Sequence, residues 1–440
     1  MSCDSDTGRS HDTAARAFRF PPGFLVGAAS AAHQVEGGNR WNDWWEFEQS
    51  SRLPPRSGEA CRHYELYESD FDLARSLGHN AHRLSIEWSR IEPREGEWNE
   101  DALAHYGAVV KALRDRGMEP VVTLHHFTNP AWFACRGGWI RRESGQYFAR
   151  YVRRVAQQLA THVRFWVTIN EPTVYVKHAY VVGDWPPCVR KSWTSAAQVL
   201  LNMGRAHAAA YGILHEARPD AMVGIAHSAP YVVPCDPTRL ADRVTSRLRD
   251  FTLNHAFFTL LGRRPAVVLD FVGLNYYARQ VVRWRPVVGP AALFGSECRD
   301  DHHGQRRQFT QLGWEVYAPG LRETLILFRR YGVPLIVTEN GIATSDEEAR
   351  SDYLRAHVEA LGQAIQVGVP VLGYFYWTLM DNYEWVEGRG ARFGLFEVDF
   401  ATQERTPRPA ASLFEAICRG GGPARPVAFL PANQGQGPRE

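Results

Sequence analysis

The chain alternates short, almost uninterrupted apolar runs with longer stretches in which apolar residues recur every three or four positions. The runs are FLVGAAS from Phe24, HRLSIEW from His82, PVVTLHHF from Pro120, RFWVTIN from Arg164, MVGIAHS from Met222, FVGLNYY from Phe271, PLIVTEN from Pro334 and VLGYFYWTL from Val371. Near-continuous apolarity marks strands covered on both faces, as in parallel sheets. Between them, QYFARYVRRVAQQLATH sets Phe148, Tyr151, Val152, Val155 and Leu159 on one helical face. DALAHYGAVVKALRDRG starts acidic and stops at Gly117, and LRAHVEALGQAIQVG stops at Gly368. Eight strand–helix units without a composition break predict an α/β chain closed into a (β/α)8 TIM barrel, a single domain rather than an open sheet. Residues 20–419 form that barrel in this reading, 1–19 a flexible N-terminal extension and 420–440 a loosely packed Gly/Pro-rich tail. Arg285 to Gln308, with Pro, Gly and a DDHH patch, is expected as a long loop on the active face.

Composition narrows the partners. The 440 residues are 45% hydrophobic and 22% charged, enough apolar material for a large core, and the net charge is only +2. That balance lacks the field a nucleic acid or an acidic membrane would require. The basic stretch RVTSRLR, Arg243 to Arg249, reads as a solvated helix face. Seven scattered cysteines form no CxxC pair, which points to a reducing compartment and to neither a disulfide framework nor a zinc ribbon. The polar start lacks the apolar core of a signal peptide, and no apolar run is long enough to span a bilayer, so a cytoplasmic location is expected.

In a barrel of this kind the chemistry sits at the C-terminal ends of the strands. Polar residues collect there: His33, Gln34 and Glu36; Arg83; His125 and His126; Asn170 and Glu171; His227; Asn275, Tyr276 and Tyr277; Glu339 and Asn340; Trp377, Asp381, Glu384 and Trp385. Two glutamates close apolar strands in matched settings, Glu171 in TINEP and Glu339 in VTENG. A carboxylate at the mouth of a core costs several kcal/mol unless it is paired or used. A pair flanking one bond is what glycoside hydrolysis requires. Trp132, Trp185, Trp377 and Trp385 lie where they could stack on a sugar's CH faces or simply pack in the core.

FPPGFLVGAASAAHQVEGG, RLSIEWSRIEP, TINEP, GLNYYAR, VTENG and YWTLMDNYEWVEGRGARFGL occur in this order over Phe20 to Arg419. In them the chain resembles glycoside hydrolase family 1, the retaining β-glucosidases and their relatives. The resemblance implies a β-glucosidase that hydrolyses terminal non-reducing β-D-glucosyl residues, with galactosyl or fucosyl as alternatives, from β-linked glucosides or short oligosaccharides. It implies two displacements through a covalent glycosyl-enzyme, with Glu171 as acid/base and Glu339 as nucleophile, and no cofactor or metal. Gln34, His126, Asn170, Glu384 and Trp385 would hold the sugar's hydroxyls, and Trp377 would lie beneath it. Arg83 and Tyr277 would support the nucleophile, Tyr277 bordering the sugar as well.

Physical roles accompany these assignments. Arg83 and the Tyr277 hydroxyl would keep Glu339 ionised, and the Glu339 charge would raise the pKa of Glu171 so that it can donate. Retention would set the carboxyl groups about 5–5.5 Å apart. The chain departs from the family at Phe127 in HFTNP, where Trp is common, at GRG from Gly388, and in a short segment before FVGLNYY. WVEG lacks the Ser and Lys pattern of 6-phospho-glycosidases, and Glu171 stands where a myrosinase has Gln. A catalytically weak or inactive sugar-binding protein on the same barrel is the alternative. A metal hydrolase using His125, His126 and the pair His302–His303 is disfavoured, because adjacent strand residues point apart and no spaced acidic partner is evident.

Overall fold

Each of the eight apolar runs forms a strand. They are β1 (Leu25–Ala29), β2 (Ala81–Ser85), β3 (Glu119–Thr123), β4 (Phe165–Asn170), β5 (Met222–Ser228), β6 (Phe271–Asn275), β7 (Leu335–Asn340) and β8 (Val371–Trp377). All pair in parallel with their chain neighbours, and β1 closes the ring against β8, with Ala29 beside both Arg83 and Trp377. This computed structural model describes residues 20–50, 56–262, 265–286, 294–300 and 307–420. The extension expected over 1–19 and the tail beyond Gly420 lie outside the described residues.

A helix follows each strand: α1 (His63–Ser76), α2 (Glu100–Asp115), α3 (Ser144–Leu159), α4 (Trp193–Ala217), α5 (Leu240–Asp250), α6 (Ala318–Phe328), α7 (Glu347–Gln366) and α8 (Pro409–Gly420). Their ends follow capping chemistry. The Asn99 side chain accepts from the Ala102 amide at 3.1 Å to start α2, and Asp346 accepts from Glu348 and Ala349, each at 3.0 Å, to start α7. Gly117 and Gly368 end these two helices with φ of +72° and +83°. The five apolar positions expected on one face of α3 are all buried against the barrel wall.

Inside the ring, Leu25, Val121, Phe165, Val167, Phe271, Ile336 and Phe375 belong to one apolar cluster, while alternate strand residues such as Val337 and Trp166 pack outward with the helices. Closure is tight at the rim. A Cβ on Gly341 would stand 2.0 Å from the Trp377 carbonyl, so the residue after Glu339 and Asn340 has to be glycine for β7 to approach β8.

One expectation changes. Part of the stretch read as a loop from Arg285 to Gln308 is a strand, Ser296–Glu297, antiparallel to Arg279–Arg283, which in turn lies parallel to Tyr231–Pro234. This three-stranded sheet caps one side of the barrel mouth. The short segment before β6 does not disturb the barrel, since β6 keeps its register with β5 and pairs with β7. No helix among the described residues is long and apolar enough to cross a membrane.

Candidate active site

Strict alternation along β7 would send Glu339 outward with Val337. Instead the pairing of β7 with β6 shifts register between Val337 and Glu339, and that irregularity turns the carboxylate into the pore beside Thr338. β4 carries a comparable shift between Val167 and Asn170. Glu171 follows at once, its backbone left-handed at φ +44° and its amide donating to the Ala226 carbonyl at 2.7 Å. Pro172 then opens a short helix that carries the chain away from the pore.

A chain of buried amides and one guanidinium joins the two carboxylates. Arg83 Nη1 donates to Glu339 Oε1 at 2.5 Å, and Tyr277 donates its hydroxyl to Oε2 at 2.6 Å. Arg83 Nη2 donates to Asn170 Oδ1 at 2.7 Å, which also accepts from Asn275 Nδ2 at 3.2 Å. Asn275 Nδ2 reaches Glu171 Oε1 at 2.9 Å, and its own Oδ1 accepts from Thr338 at 2.6 Å. Arg83 is completed by Thr123 and the Thr338 carbonyl, so its donors are spent on positions at the rim. One carboxylate therefore has a buried cation within contact distance, and the other has a neutral amide.

The environments diverge accordingly. Burial, followed by the Glu339 charge, pushes the Glu171 carboxyl up to about 8, against the pull of Asn275 and Arg83. The expectation that Glu339 raises Glu171 holds, but desolvation is the larger cause. Burial and then the Glu339 charge likewise hold the Tyr277 hydroxyl well above its ordinary value, so it stays a donor.

On the other side, Gln34 Nε2 donates to Glu384 Oε2 and Trp377 Nε1 to Glu384 Oε1, both at 3.0 Å. Burial raises Glu384 to about 8 despite these bonds. Asn170 Nδ2 faces His126 Nε2 at 3.3 Å, and burial with the Arg83 charge keeps the His126 imidazole neutral. The His126 ring lies nearly parallel to those of Trp377 and Trp385, with centroids 6.0 and 6.2 Å away. Gln34 Oε1 and His126 Nδ1 are among the buried polar atoms here without a partner among the described residues. Together these residues line a pocket of about 370 Å³ that also holds Asn170, Glu171, Tyr277, Glu339 and Trp385.

The model of glycosyl hydrolase family 1 matches residues 16–268 and 262–422. The chain belongs to that family. A β-glycosidase from Pyrococcus horikoshii is 42% identical and superposes with a TM-score of 0.86, over 92% of this chain and 96% of that one. β-Glucosidase A of Thermotoga maritima is 32% identical over 92% of this chain and 98% of its own. A β-galactosidase of Pyrococcus woesei is 30% identical over 93% and 98%. The expectation of a retaining β-glycosidase on a (β/α)8 barrel holds.

In this family 1 chain Phe127, the departure from Trp, has φ +72° and packs its ring against Trp185 and Trp385 at 4.8 and 5.4 Å. It offers no polar atom to the pocket. Arg389 of GRG turns away from it, donating to the Ser57 carbonyl at 3.0 Å and lying over the Phe400 ring. Several polar rim residues serve the scaffold instead. His33 pairs with Glu48, Glu36 with Arg90, Asp381 with Arg408, His125 bonds Asn129, His227 reaches the Leu253 carbonyl, Tyr276 bonds the Tyr317 carbonyl, and Asn340 bonds Tyr353. Trp132 gives its Nε1–H to the Glu92 carbonyl, away from the pocket. The candidate pair His302–His303 lies outside the described residues, and no group of three metal-ligating side chains occurs among those described.

Sequence reasoning assigned no role to Asn275, the amide that holds Glu171, although it named the residue as a polar strand end. It did not name Lys177, Gln280 or Trp314, which line the outer pocket on connecting segments.

Proposed function

We propose that Glu339 is the nucleophile and Glu171 the acid/base of a two-step hydrolysis of terminal β-D-glucosyl residues, with galactosyl or fucosyl residues as further substrates. One observation carries the assignment: the two carboxyls share a buried network yet differ in charge support, Arg83 and Tyr277 serving Glu339 and an amide serving a Glu171 raised by burial. In the first step a Glu339 oxygen attacks the anomeric carbon while Glu171 gives its proton to the departing glycosidic oxygen. The bond to the aglycone breaks and a glycosyl ester forms. The ester carries no charge, so the repulsion on Glu171 falls and its carboxylate can take a proton from water. That water attacks the anomeric carbon and frees Glu339.

Gln34 Oε1 and His126 Nδ1, buried without partners, supply an acceptor and a donor for sugar hydroxyls. Glu384, Asn170 and Trp385 complete that ring of contacts, Tyr277 borders it, and Trp377 forms the platform under the sugar. No metal or organic cofactor enters any step. We place residues 20–419 together as the catalytic domain. We assign the chain to the cytoplasm, a reading supported by Cys61 and Cys418, buried as thiols rather than disulfides.

Azide rescue tests the roles. Glu339→Gly should lose turnover of an aryl β-glucoside, and azide should restore it as the α-glycosyl azide. Glu171→Ala with azide should give the β product, and activated leaving groups should suffer least. Opposite stereochemistry in the two variants would exchange the roles, and wild-type activity in both would remove the site.

A further inference from the structure

The inner pocket is crowded with carboxyls, whereas its exposed lining carries one carboxylate, Glu387, and one ammonium, Lys177. Lys177, one turn beyond Thr173, lines the pocket with its side chain exposed. Thr173 bonds the Leu253 carbonyl at 3.4 Å, which joins this short helix to the end of α5. One turn before Leu253 stands Arg249, the half-buried member of the basic stretch otherwise seen on the outside of α5. Both helices widen here into a π-turn, over Lys177–Val182 and Phe251–His255. Neither cation has a hydrogen bond or an ion pair among the described residues, and Arg249 Nη1 is buried without a partner. Asp184, which pairs with His178 at 2.9 Å, Glu297 on the capping sheet and Glu171 favour the Lys177 ammonium, but no ion pair among the described residues joins any of them to Lys177 or Arg249. After burial, the Arg249 charge is the next largest influence lowering the Lys177 ammonium. Lys177, and not Arg249, thus lines the outer wall of this pocket, whose adjoining surface is aromatic: Trp314, 37% exposed, packs on Tyr277 at 5.3 Å.

We propose that the aglycone side of this pocket takes a planar aromatic ring bearing a carboxylate, with Lys177 as its counter-charge and Trp314 as its apolar rest. The substrate class is the β-glucoside of a phenolic acid. This rests on the glycosidase function above and adds to it the chemistry of the leaving group. An anion gives the Lys177 ammonium the direct partner that no hydrogen bond or ion pair among the described residues supplies, and a ring replaces water on exposed indole.

The test compares 3-carboxyphenyl and 3-carbamoylphenyl β-D-glucopyranosides, equal in shape and different in charge. The carboxylate is the poorer leaving group, so any preference for it comes from binding. Wild type should favour it about fivefold in kcat/KM, mainly through KM, as a partly solvated ion pair allows. Added salt should shrink that ratio. Lys177→Met should bring the ratio to about one, and Lys177→Glu should invert it. A wild-type ratio of one or less, or a ratio unmoved in both Lys177 variants, overturns the proposal. 4-Nitrophenyl β-D-glucoside separates the two readings. Its hydrolysis without a charge preference sinks only the anionic aglycone, whereas inertness toward all three glucosides sinks the glycosidase assignment.

Discussion

Replacing Glu171 by Gln removes a carboxyl that burial and Glu339 lift from an ordinary 4.5 to about 8. Between those values the folded chain holds a proton that the unfolded chain has released. Stability therefore falls as pH rises through that window and is greatest below it. The full lift corresponds to at most ~5 kcal/mol lost by pH 8. Sharing of charge with Glu339 and relaxation of the pocket reduce this to about 2 kcal/mol. For a chain of this size, that is ~2–3 °C in Tm. Glu171→Gln keeps the side chain's shape and can still accept from Asn275, so it should melt higher than wild type by that margin at pH 8. At pH 5 the two curves should nearly coincide. Differential scanning calorimetry at both pH values reads the difference directly. An equal offset at both, or a larger gain at pH 5, would refute the claim that this carboxyl is held protonated. In the mechanism we propose, the same proton goes to the leaving group, so kcat/KM of wild type should decline on the alkaline side near pH 8.

Three further perturbations follow from the network. Asn275→Ala removes the donor that favours the charged form of Glu171, so the alkaline limb of kcat/KM should move up by about one pH unit, which a pH–rate profile will detect. Arg83→Met strands the buried Glu339 charge and frees Asn170, so unfolding should become easier by about 3–5 kcal/mol and kcat should drop about a thousandfold, measured by denaturant titration and steady-state kinetics. Gly341→Ala drives a methyl group into the Trp377 carbonyl, and a loss of several degrees in Tm with disturbed sugar binding is expected from calorimetry and KM.

The barrel was legible because its strands are buried on both faces, which leaves apolar runs that helices do not imitate, and because caps such as Asn99 and Asp346 sit where local hydrogen bonding requires them. The capping sheet was not, since Tyr231–Pro234 and Arg279–Arg283 are short, half-buried and paired across a long loop of sequence. At the rim, period-two alternation sorts His126 from His125 and Asn275 from Tyr276, but a list of polar strand ends cannot tell which member of each pair faces the pore. For Glu339 and Asn170 alternation alone misleads, because register shifts that leave no local mark in the sequence re-aim both. Lys177 and Trp314 sit on connecting segments, where no strand pattern announces them.

The amide relay from Arg83 through Asn170 to Asn275 fixes how far apart the two carboxyls stand using side chains from β2, β4 and β6 alone. The connecting segments that meet the leaving group contribute nothing to that spacing. Reactivity and choice of aglycone are thus separable inheritances, and substitutions at the mouth can retarget the enzyme while its chemical step is left intact. Lys177 is the exception: its charge also bears on Glu171, so redesign there will move the pH profile along with the substrate.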